Sequence, residues 1–527
     1  MEKITTDISS FENLRKGGYV YVDKTDLLCR LAADKEGRQF FISRPRRFGK
    51  SLMLSTLKCM FEGKRELFKG LRIEKRRYDW KKYPVVHLDM SKVKGETPDE
   101  LKASLNVLVD SIAATFKLKV AKGVPAGTRF GLALDALFAK GGEYVVLVDE
   151  YDVPLQGFFG NQAALLRVRK LMHDFYINLK NHEGDIRFLM LTGVTKLTKV
   201  SVFSGLNHLT DLTMERREYA GLLGYTPKEI AANFPHRLDA LAKKLKTDRS
   251  GALKQLLDWY DSYRFSPESA MRVCNPISIG KALAARSIQN YWAKTASASL
   301  VMERIAAAGK TPADFEGCAA TVDELDVCDA LSLPAKALMY QSGYLTIKKV
   351  VGEANGVDDQ KLILCIPNRE VRTAIRNGWF DGIVRVPAPE FDALVDIARR
   401  QVADGDVDAL ICETLYRVYA KIPPEWRIRS EADVKRHFRL FMEMLGAKVA
   451  AEEGSARGYA DAIIETKAFV WVFEFKFNKS SAAAVRQIRE KGYADQYKGD
   501  RRPVTLVGVN FRTAKRNIDE PLFAQMR

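Results

Sequence analysis

The tripeptide Gly49-Lys50-Ser51 has the residue types that hold the phosphates of a nucleotide. It follows a short apolar run, Phe40-Phe41-Ile42, and a basic turn, and it precedes a segment with helical spacing. In this layout, backbone N–H groups of the turn point at phosphate oxygens, the lysine reaches the β- and γ-phosphates, and the serine hydroxyl holds Mg²⁺. We therefore expect an ATP–Mg²⁺ site here, with Arg46 and Arg47 of the turn contributing to it.

The turn departs from the usual phosphate-binding pattern at one position. Arg44 stands six residues before Lys50, where the pattern has a glycine. Because Gly-Lys-Ser is short and recurs by chance, the competing interpretation of this stretch alone is a surface turn before a helix.

Two further apolar runs end in residues that could act on a bound nucleotide. Residues 143–148 lead to Asp149 and Glu150, and residues 187–191 lead to Thr192. Continuous apolar strands are typical of parallel sheets, and open α/β sheets bind ligands at the C-terminal ends of their strands. We expect Asp149 in the Mg²⁺ shell, Glu150 to polarise the attacking water, and Thr192 to sense the γ-phosphate. The alternative for each residue is a polar strand-end cap.

Several N-terminal segments resemble the AAA-ATPase-like proteins of bacteria. The resemblance covers residues 1–225 closely and is carried by residues 21–25, 43–51, 148–152, 192–196 and 201–207. In that family an arginine at the position of the first loop glycine is the usual form, so the resemblance implies ATP binding despite Arg44.

Arg264 is a further candidate for nucleotide binding. It lies among aromatic residues in the segment 259–265, which also resembles a recurrent element of this family. An arginine so placed could contact the γ-phosphate as an arginine finger or sensor. The alternative is that it stacks on Tyr263 or Trp259 for packing.

A second chemical centre lies in the last hundred residues. In the strongly apolar stretch 469–478, strand alternation puts Glu474 and Lys476 on one face. Burying a carboxylate and an ammonium there is costly unless they pair or bind a ligand. Asp461, on the preceding predicted strand, is placed to meet Glu474. Two neighbouring carboxylates repel, so a divalent cation between them is the economical arrangement.

An Asp followed thirteen residues later by Glu-x-Lys resembles the core of the PD-(D/E)XK nuclease superfamily. The resemblance implies that Asp461 and Glu474 bind Mg²⁺, that Glu431 on the preceding helix is the first acid, and that Lys476 orients or activates the water. It also implies that Gln487 is the polar residue of the following helix. Metal-assisted hydrolysis of a phosphodiester is the implied reaction. The alternative is a strand with an incidental ion pair.

The composition limits the classes of protein to which the chain can belong. The 527 residues are 46% apolar and 28% charged, a balance typical of a globular chain that is too long for one core. The net charge of +18 favours a polyanionic partner, most simply nucleic acid, although solvated surface lysines and arginines would give the same total. Seven scattered cysteines indicate neither a disulfide framework nor a zinc site.

The order of the predicted elements gives the fold class. Strands alternate with helices up to residue 225, which predicts an α/β fold with a doubly wound, largely parallel P-loop sheet. Residues 226–422 are predicted to be mainly helical, with a hairpin formed by 340–347 and 362–368. Residues 423–527, beginning at Pro423-Pro424, are predicted to form a PD-(D/E)XK-like α/β domain. The chain has neither an apolar run long enough to span a bilayer nor a signal peptide's regions, so the expected location is the cytoplasm.

The leading hypothesis is therefore an ATPase coupled to a Mg²⁺-dependent nuclease domain that acts on DNA more than RNA, in genome defence or mobile-element biology. The second is a nucleotide-gated switch whose nuclease domain only binds nucleic acid. A third is a scaffold with two vestigial sites. The pattern leaves open whether the chain forms a homo-oligomer.

Overall fold

The computed structural model describes residues 2–34, 37–197, 209–292, 299–308, 310–326, 331–352, 360–379, 388–422, 428–445, 449–450, 454–455 and 458–526. The chain divides into two compact units. The first comprises Met1–Ala296 with Gly317–Arg372, and the second comprises Ser297–Glu316 with Thr373–Arg527. The motif at residues 201–207 and the predicted boundary at Pro423-Pro424 lie outside the described residues.

A five-stranded parallel sheet forms the centre of the first unit. Its strands are β1 (Gln39–Ser43), β2 (Val85–Asp89), β3 (Tyr144–Asp149), β4 (Ile186–Gly193) and β5 (Thr210–Asp211). They lie in the order β2-β3-β4-β1-β5, so β4 separates β1 from β3. All residues of β3 are buried, as its continuous apolar sequence predicts for a strand covered on both faces. The predicted fold class is confirmed.

The described helices of the two units follow in chain order: α1 (Phe11–Lys16), α2 (Thr25–Ala32), α3 (Lys50–Phe61), α4 (Pro98–Phe116), α5 (Ala126–Gly141), α6 (Val153–Gln156), α7 (Gln162–Asn181), α8 (Pro227–Asn233), α9 (Pro235–Leu245), α10 (Arg249–Tyr260), α11 (Pro276–Ala285), α12 (Ser299–Ala307), α13 (Val322–Asp326), α14 (Ala335–Gln341), α15 (Arg369–Trp379), α16 (Ala388–Asp404), α17 (Val407–Ala409), α18 (Tyr416–Ala420), α19 (Glu431–Leu445) and α20 (Ser481–Lys491). A π-helical turn, Leu410–Leu415, joins α17 to α18. Within the described ranges, no helix is both long and apolar enough to cross a membrane.

Local sequence signals explain where several helices begin. The Thr226 side chain and Glu229 form a reciprocal capping box at the start of α8, and Pro227 occupies its first position. Asn161 caps α7 and Thr97 caps α4 by accepting backbone N–H groups. The helices predicted between residues 227 and 345 and between 387 and 420 are present in the described parts of both segments.

A small antiparallel sheet follows the helices of the first unit. It contains β6 (Ala319–Ala320), β7 (Thr346–Val351) and β8 (Lys361–Cys365) in the order β6-β8-β7. The antiparallel pairing of β7 with β8 confirms the predicted hairpin in part. The predicted first arm, 340–347, is wrong over most of its length, because α14 extends to Gln341 and β7 begins at Thr346.

The second unit contains a mixed five-stranded sheet in the order β15-β14-β13-β12-β9. The strands are β9 (Val449–Ala450), β12 (Ala462–Glu465), β13 (Val470–Phe477), β14 (Val504–Arg512) and β15 (Asn517–Gln525), while β10 (Gly454–Ser455) pairs separately with β11 (Gly458–Tyr459). Strands β13 and β14 are parallel and connected through α20. Gly508 allows α20 to approach β14 closely, because a Cβ there would lie 2.3 Å from the Ser481 carbonyl oxygen.

Candidate nucleotide and metal sites

The turn between β1 and α3 has the backbone of an anion-binding loop. Arg47 and Gly49 have φ values of 70° and 94°, and no side chain caps the N-terminus of α3. Left-handed residues in a turn make concavities of N–H groups, and an uncapped helix start leaves further N–H donors and a partial positive charge. The turn can therefore accept phosphate oxygens in the way that its sequence predicts.

Lys50 is buried beneath this turn. Its Nζ donates to the carbonyl oxygens of Arg44 at 2.8 Å and of Pro45 at 3.1 Å. Burial lowers the pKa of Lys50, while the negative charges of Asp152 and Glu150 oppose that change. The charged oxygens of a phosphate would bind this ammonium more strongly than its neutral carbonyl partners do, because hydrogen bonds between charged groups are stronger.

The Arg44 side chain is buried, and it is not among the residues that line the cavity described below. Its side chain is 1% exposed, and Nη1 donates to the carbonyl oxygens of Ser43 at 2.8 Å and Thr213 at 3.0 Å. The guanidinium lies 4.3 Å from the centre of the Phe265 ring. Burial lowers the pKa of Arg44 to about 10. The Arg44 side chain therefore packs into the interior of the first unit instead of projecting from the loop.

A cavity of about 230 Å³, partly open to solvent, adjoins the turn. Of the predicted nucleotide-binding residues, Arg47, Gly49, Lys50, Ser51 and Glu150 line it. Its other walls are formed by residues 5–9, 20–22, 222–225 and 276–277, together with Leu14, Lys24, Leu28, Phe48, Leu52 and Met53. Apolar walls beside a phosphate loop suit the ring and sugar of a nucleotide. The N-terminal segment thus forms part of the cavity wall.

Asp149 and Thr192 meet at the adjoining ends of β3 and β4. The Thr192 Oγ1 donates to Asp149 Oδ1 at 2.7 Å, and both side chains are buried. Neither residue is among those that line the cavity. The structure therefore shows Thr192 as a partner of the acid, and a γ-phosphate contact for it stays a prediction.

Glu150 differs from its neighbour in both backbone and surroundings. It has a φ of 52° and its side chain lines the cavity. Burial raises the pKa of Glu150, an effect that the positive charge of Lys50 opposes. Non-glycine residues with positive φ are strained by about 1–3 kcal/mol and cluster at functional sites. This strained acid, rather than Asp149, faces the space where a nucleotide would bind.

The structure does not bring the side chains of Arg46 and Arg264 to the cavity wall. Arg264 Nε donates to the carbonyl oxygens of Ser266 and Ser269, and Nη2 donates to that of Pro267. Its guanidinium thus stabilises its own loop, and the described ring contacts include neither predicted stacking arrangement. Arg46 is exposed and donates to Gln156 Oε1 at 3.2 Å.

Two residues that sequence reasoning left without a role hold this site together. The Asp152 carboxylate accepts two hydrogen bonds from Thr195, one from its backbone N–H at 2.9 Å and one from its side-chain hydroxyl at 2.6 Å. These bonds connect the loop after β3 to the loop after β4. Asn275 caps α11 and donates to the carbonyl oxygen of Arg46 at 3.4 Å. Asp152 lies in the segment 148–152 that carries the family resemblance, so the resemblance was the available signal for it.

In the second unit, strand register brings the predicted acids together. The pairing of Ala462 with Phe473 places Asp461, one residue earlier, opposite Glu474. Glu431 is the first residue of α19, and one carboxylate oxygen from each of the three acids lies within 4.8 Å of the others. We call Glu431, Asp461 and Glu474 the three-carboxylate cluster.

Two lysines accompany this cluster. Lys476 Nζ lies 2.7 Å from Glu474 Oε1 and 3.8 Å from Glu431 Oε1. Lys435 Nζ, which was not among the predicted site residues, lies 2.6 Å from Asp461 Oδ1 and 3.0 Å from Glu431 Oε1. The carboxylates are therefore held together by positive charge.

The environment of Glu474 fits a cation ligand. Burial and, after it, the nearby charge of Asp461 together raise the pKa of Glu474 to about 7, although Lys476 and Lys435 oppose the change. Burial also raises the pKa of Asp461, although Lys435 and the Phe475 N–H oppose the change. Glu474 Oε2 is buried and has no hydrogen-bond partner among the described residues. An unpaired buried carboxylate oxygen beside two other acids suits a hard divalent ion such as Mg²⁺.

Gln487 lies on α20 and is partly buried. Its Nε2 donates to the Tyr493 hydroxyl at 3.3 Å. No described hydrogen bond joins Gln487 to the three-carboxylate cluster. The structure therefore leaves its predicted catalytic role as a proposal.

Comparison with known proteins agrees with this architecture. Residues 5–203 match the family described as "Predicted AAA-ATPase", and residues 429–521 match the "PD-(D/E)XK nuclease superfamily". A curated relative, the "Uncharacterized protein in vnfD 5'region" of Azotobacter chroococcum mcd 1, is 31% identical over 98% of this chain and 98% of its own length. The solved structure of the Aeropyrum pernix ORC1 protein in complex with DNA covers 74% of this chain and 95% of that chain at 13% identity, with a TM-score of 0.24, which is too low to support an inference. The chain therefore belongs to the same family as the Azotobacter protein, with an AAA-ATPase-like N-terminal region and a C-terminal region of the PD-(D/E)XK nuclease superfamily.

Proposed function

We propose that this protein binds and hydrolyses ATP in its first unit and that ATP controls Mg²⁺-dependent cleavage of nucleic-acid phosphodiesters by its second unit. The observation that carries the proposal is the three-carboxylate cluster with Lys476, which lies within the nuclease-superfamily match of a chain that also has a phosphate loop. DNA is the preferred substrate over RNA in this proposal, and defence or mobile-element biology is the setting.

Each residue of the second site has a proposed task. Asp461 and Glu474 hold the metal through carboxylate oxygens, and Glu431 holds it directly or through water. A bound Mg²⁺ supplies a Lewis acid and lowers the pKa of a water molecule. Lys476 orients that water and balances the negative charge that grows on the phosphate. Gln487 is proposed to position the substrate from α20.

At the first site, Lys50 binds the β- and γ-phosphates, and the backbone of the turn binds the remaining oxygens. Ser51 holds the Mg²⁺ that accompanies ATP, and Asp149, which lies behind the cavity wall with its orientation fixed by Thr192, holds the ion through a bound water. Glu150, which lines the cavity, orients the attacking water. Arg47 adds positive charge at the cavity wall.

The decisive experiment is incubation of the purified full-length protein with plasmid and Mg²⁺, with and without ATP. Conversion of supercoiled plasmid to nicked or linear forms supports the proposal. One observation favours a second function: two lysines already neutralise much of the three-carboxylate cluster. If plasmid stays intact under all conditions while ATP changes the affinity of the protein for plasmid, the protein is a nucleotide-gated binding switch instead.

Substitution of Lys50 by Ala is expected to reduce ATP affinity by at least about 10²-fold, because it removes the charge that two phosphates require. Isothermal titration calorimetry of the full-length variant measures the change. Lys58→Ala on the same helix is the matched control, since Lys58 is not among the residues that line the cavity. Equal ATP affinity in wild type and Lys50→Ala would contradict the assignment of this loop.

Metal affinity of the second site should depend on pH. Because the pKa of Glu474 is raised to about 7, a proton competes with the cation below that pH. The predicted affinity for Mn²⁺ falls by up to about tenfold per pH unit as the pH decreases from 7 to 5.5, the limit for one displaced proton. Calorimetry in buffers from pH 5.5 to 8 tests this, and an affinity that is constant over the range counts against Glu474 as a ligand.

A further inference from the structure

The Lys435 ammonium lies between two acids of the three-carboxylate cluster, Glu431 and Asp461. It follows Glu431 by one helical turn on α19, so both side chains extend from the same face of the helix. From there the Lys435 ammonium contacts Glu431 at 3.0 Å and reaches across to Asp461 at 2.6 Å. It thus joins the two acids on the α19 side of the cluster.

The cluster's described oxygen contacts leave room for one further cation. Asp461 Oδ1 contacts Lys435, and Asp461 Oδ2 accepts the Phe475 N–H at 2.7 Å. Glu474 Oε1 contacts Lys476, while Glu474 Oε2 is buried without a hydrogen-bond partner in the described part of the chain. The unfilled position therefore lies at Glu474 Oε2.

Charge leads to the same conclusion. Three carboxylates carry three negative charges, and two ammonium groups neutralise two of them. One negative charge remains, and a single divalent ion is more than enough to offset it. Two-metal nuclease sites hold their ions about 3.5–4 Å apart, so a second ion here would also have to bind among the carboxylates of this cluster. Here the Lys435 ammonium already lies between Glu431 Oε1 and Asp461 Oδ1, in the place that a second ion would have to take.

We propose that the second unit takes a single divalent ion and that the Lys435 ammonium supplies the second positive charge of the site. The inference rests on the proposed metal-dependent function and specifies its metal stoichiometry. In this arrangement, Lys435 is a positioning residue: it fixes Glu431 and Asp461, and it keeps a second ion from binding between them.

Counting bound Mn²⁺ on the full-length protein without nucleotide tests the proposal. The free Mn²⁺ signal in electron paramagnetic resonance gives the number of ions per chain, and only ions lost in Asp461→Ala are counted. Wild type should bind one such ion. Lys435→Gln should bind a second ion or hold the first at least about tenfold more tightly, whereas Lys435→Arg, which keeps the charge, should behave as wild type.

Each result has a defined meaning. Two Asp461-dependent ions in wild type, or identical binding by wild type and Lys435→Gln, would overturn the role of Lys435 while leaving the metal site in place. No Asp461-dependent ion in wild type would overturn both this inference and the proposed metal chemistry. Lys515→Gln, a surface change in the same unit, is the control for general loss of charge, and Lys435→Met replaces Lys435→Gln if thermal unfolding shows the latter to be misfolded.

Discussion

Substitution of Asp461 by Ala is expected to reduce Mg²⁺-dependent cleavage of plasmid by at least about 10²-fold, because it removes an oxygen ligand from the metal. Asp461 is central to the three-carboxylate cluster: its Oδ1 contacts Lys435 and its Oδ2 accepts a backbone N–H of β13. The loss of its carboxylate therefore removes a ligand and also frees Lys435 from one of its two acidic partners.

Nucleic-acid affinity should change little in the same variant. Lysine and arginine contacts with phosphates supply most of that affinity, and Asp461→Ala removes none of them. Plasmid cleavage and filter binding, measured side by side at one salt concentration, separate the two effects. Asp495→Ala is the matched control, since Asp495 is an exposed aspartate of the same unit that pairs with Lys498. Cleavage at the wild-type rate by Asp461→Ala would remove the cluster from the proposed mechanism.

The geometry of this cluster could be predicted because it depends on local rules. Alternation along β13 places Glu474 and Lys476 on one face, and antiparallel pairing with β12 brings Asp461 opposite Glu474. Lys435 could not be selected in the same way. Its spacing from Glu431 is visible in the sequence, but its contact with Asp461 depends on how α19 packs against the sheet, through rings such as Phe438 on Phe473.

In the phosphate loop, too, some features could be predicted from the sequence and others could not. The order of strand, turn and helix, and the strands that end in acids, follow from apolar periodicity, and the structure has both features. The position of the Arg44 side chain could not be deduced, because its partners Thr213 and Phe265 are distant in sequence. The place of Arg264 could not be deduced from its aromatic neighbours either, because its side chain donates to carbonyl groups within five residues of it in its own loop. A γ-phosphate contact for Arg264 stays a prediction.

Replacing Glu150 with Gln is expected to slow ATP hydrolysis by about 10²-fold or more while ATP remains bound, because the amide cannot take a proton from the attacking water. The carboxylate lines the cavity beside the phosphate loop, and burial raises its pKa towards the range where a general base works best. Glutamine has nearly the same shape, so the variant should keep the strained backbone at φ 52° and the walls of the cavity.

Two measurements on the full-length protein isolate this role. Steady-state phosphate release gives the hydrolysis rate, and calorimetry gives the affinity for ATP. Glu183→Gln, an exposed glutamate of the same unit, is the control for loss of one negative charge. A low hydrolysis rate with unchanged affinity is the expected signature of Glu150 as the base. If Glu150→Gln hydrolyses ATP at the wild-type rate, then the strain at this residue serves the structure of the loop, and ATP binding alone becomes the better explanation of how the first unit acts.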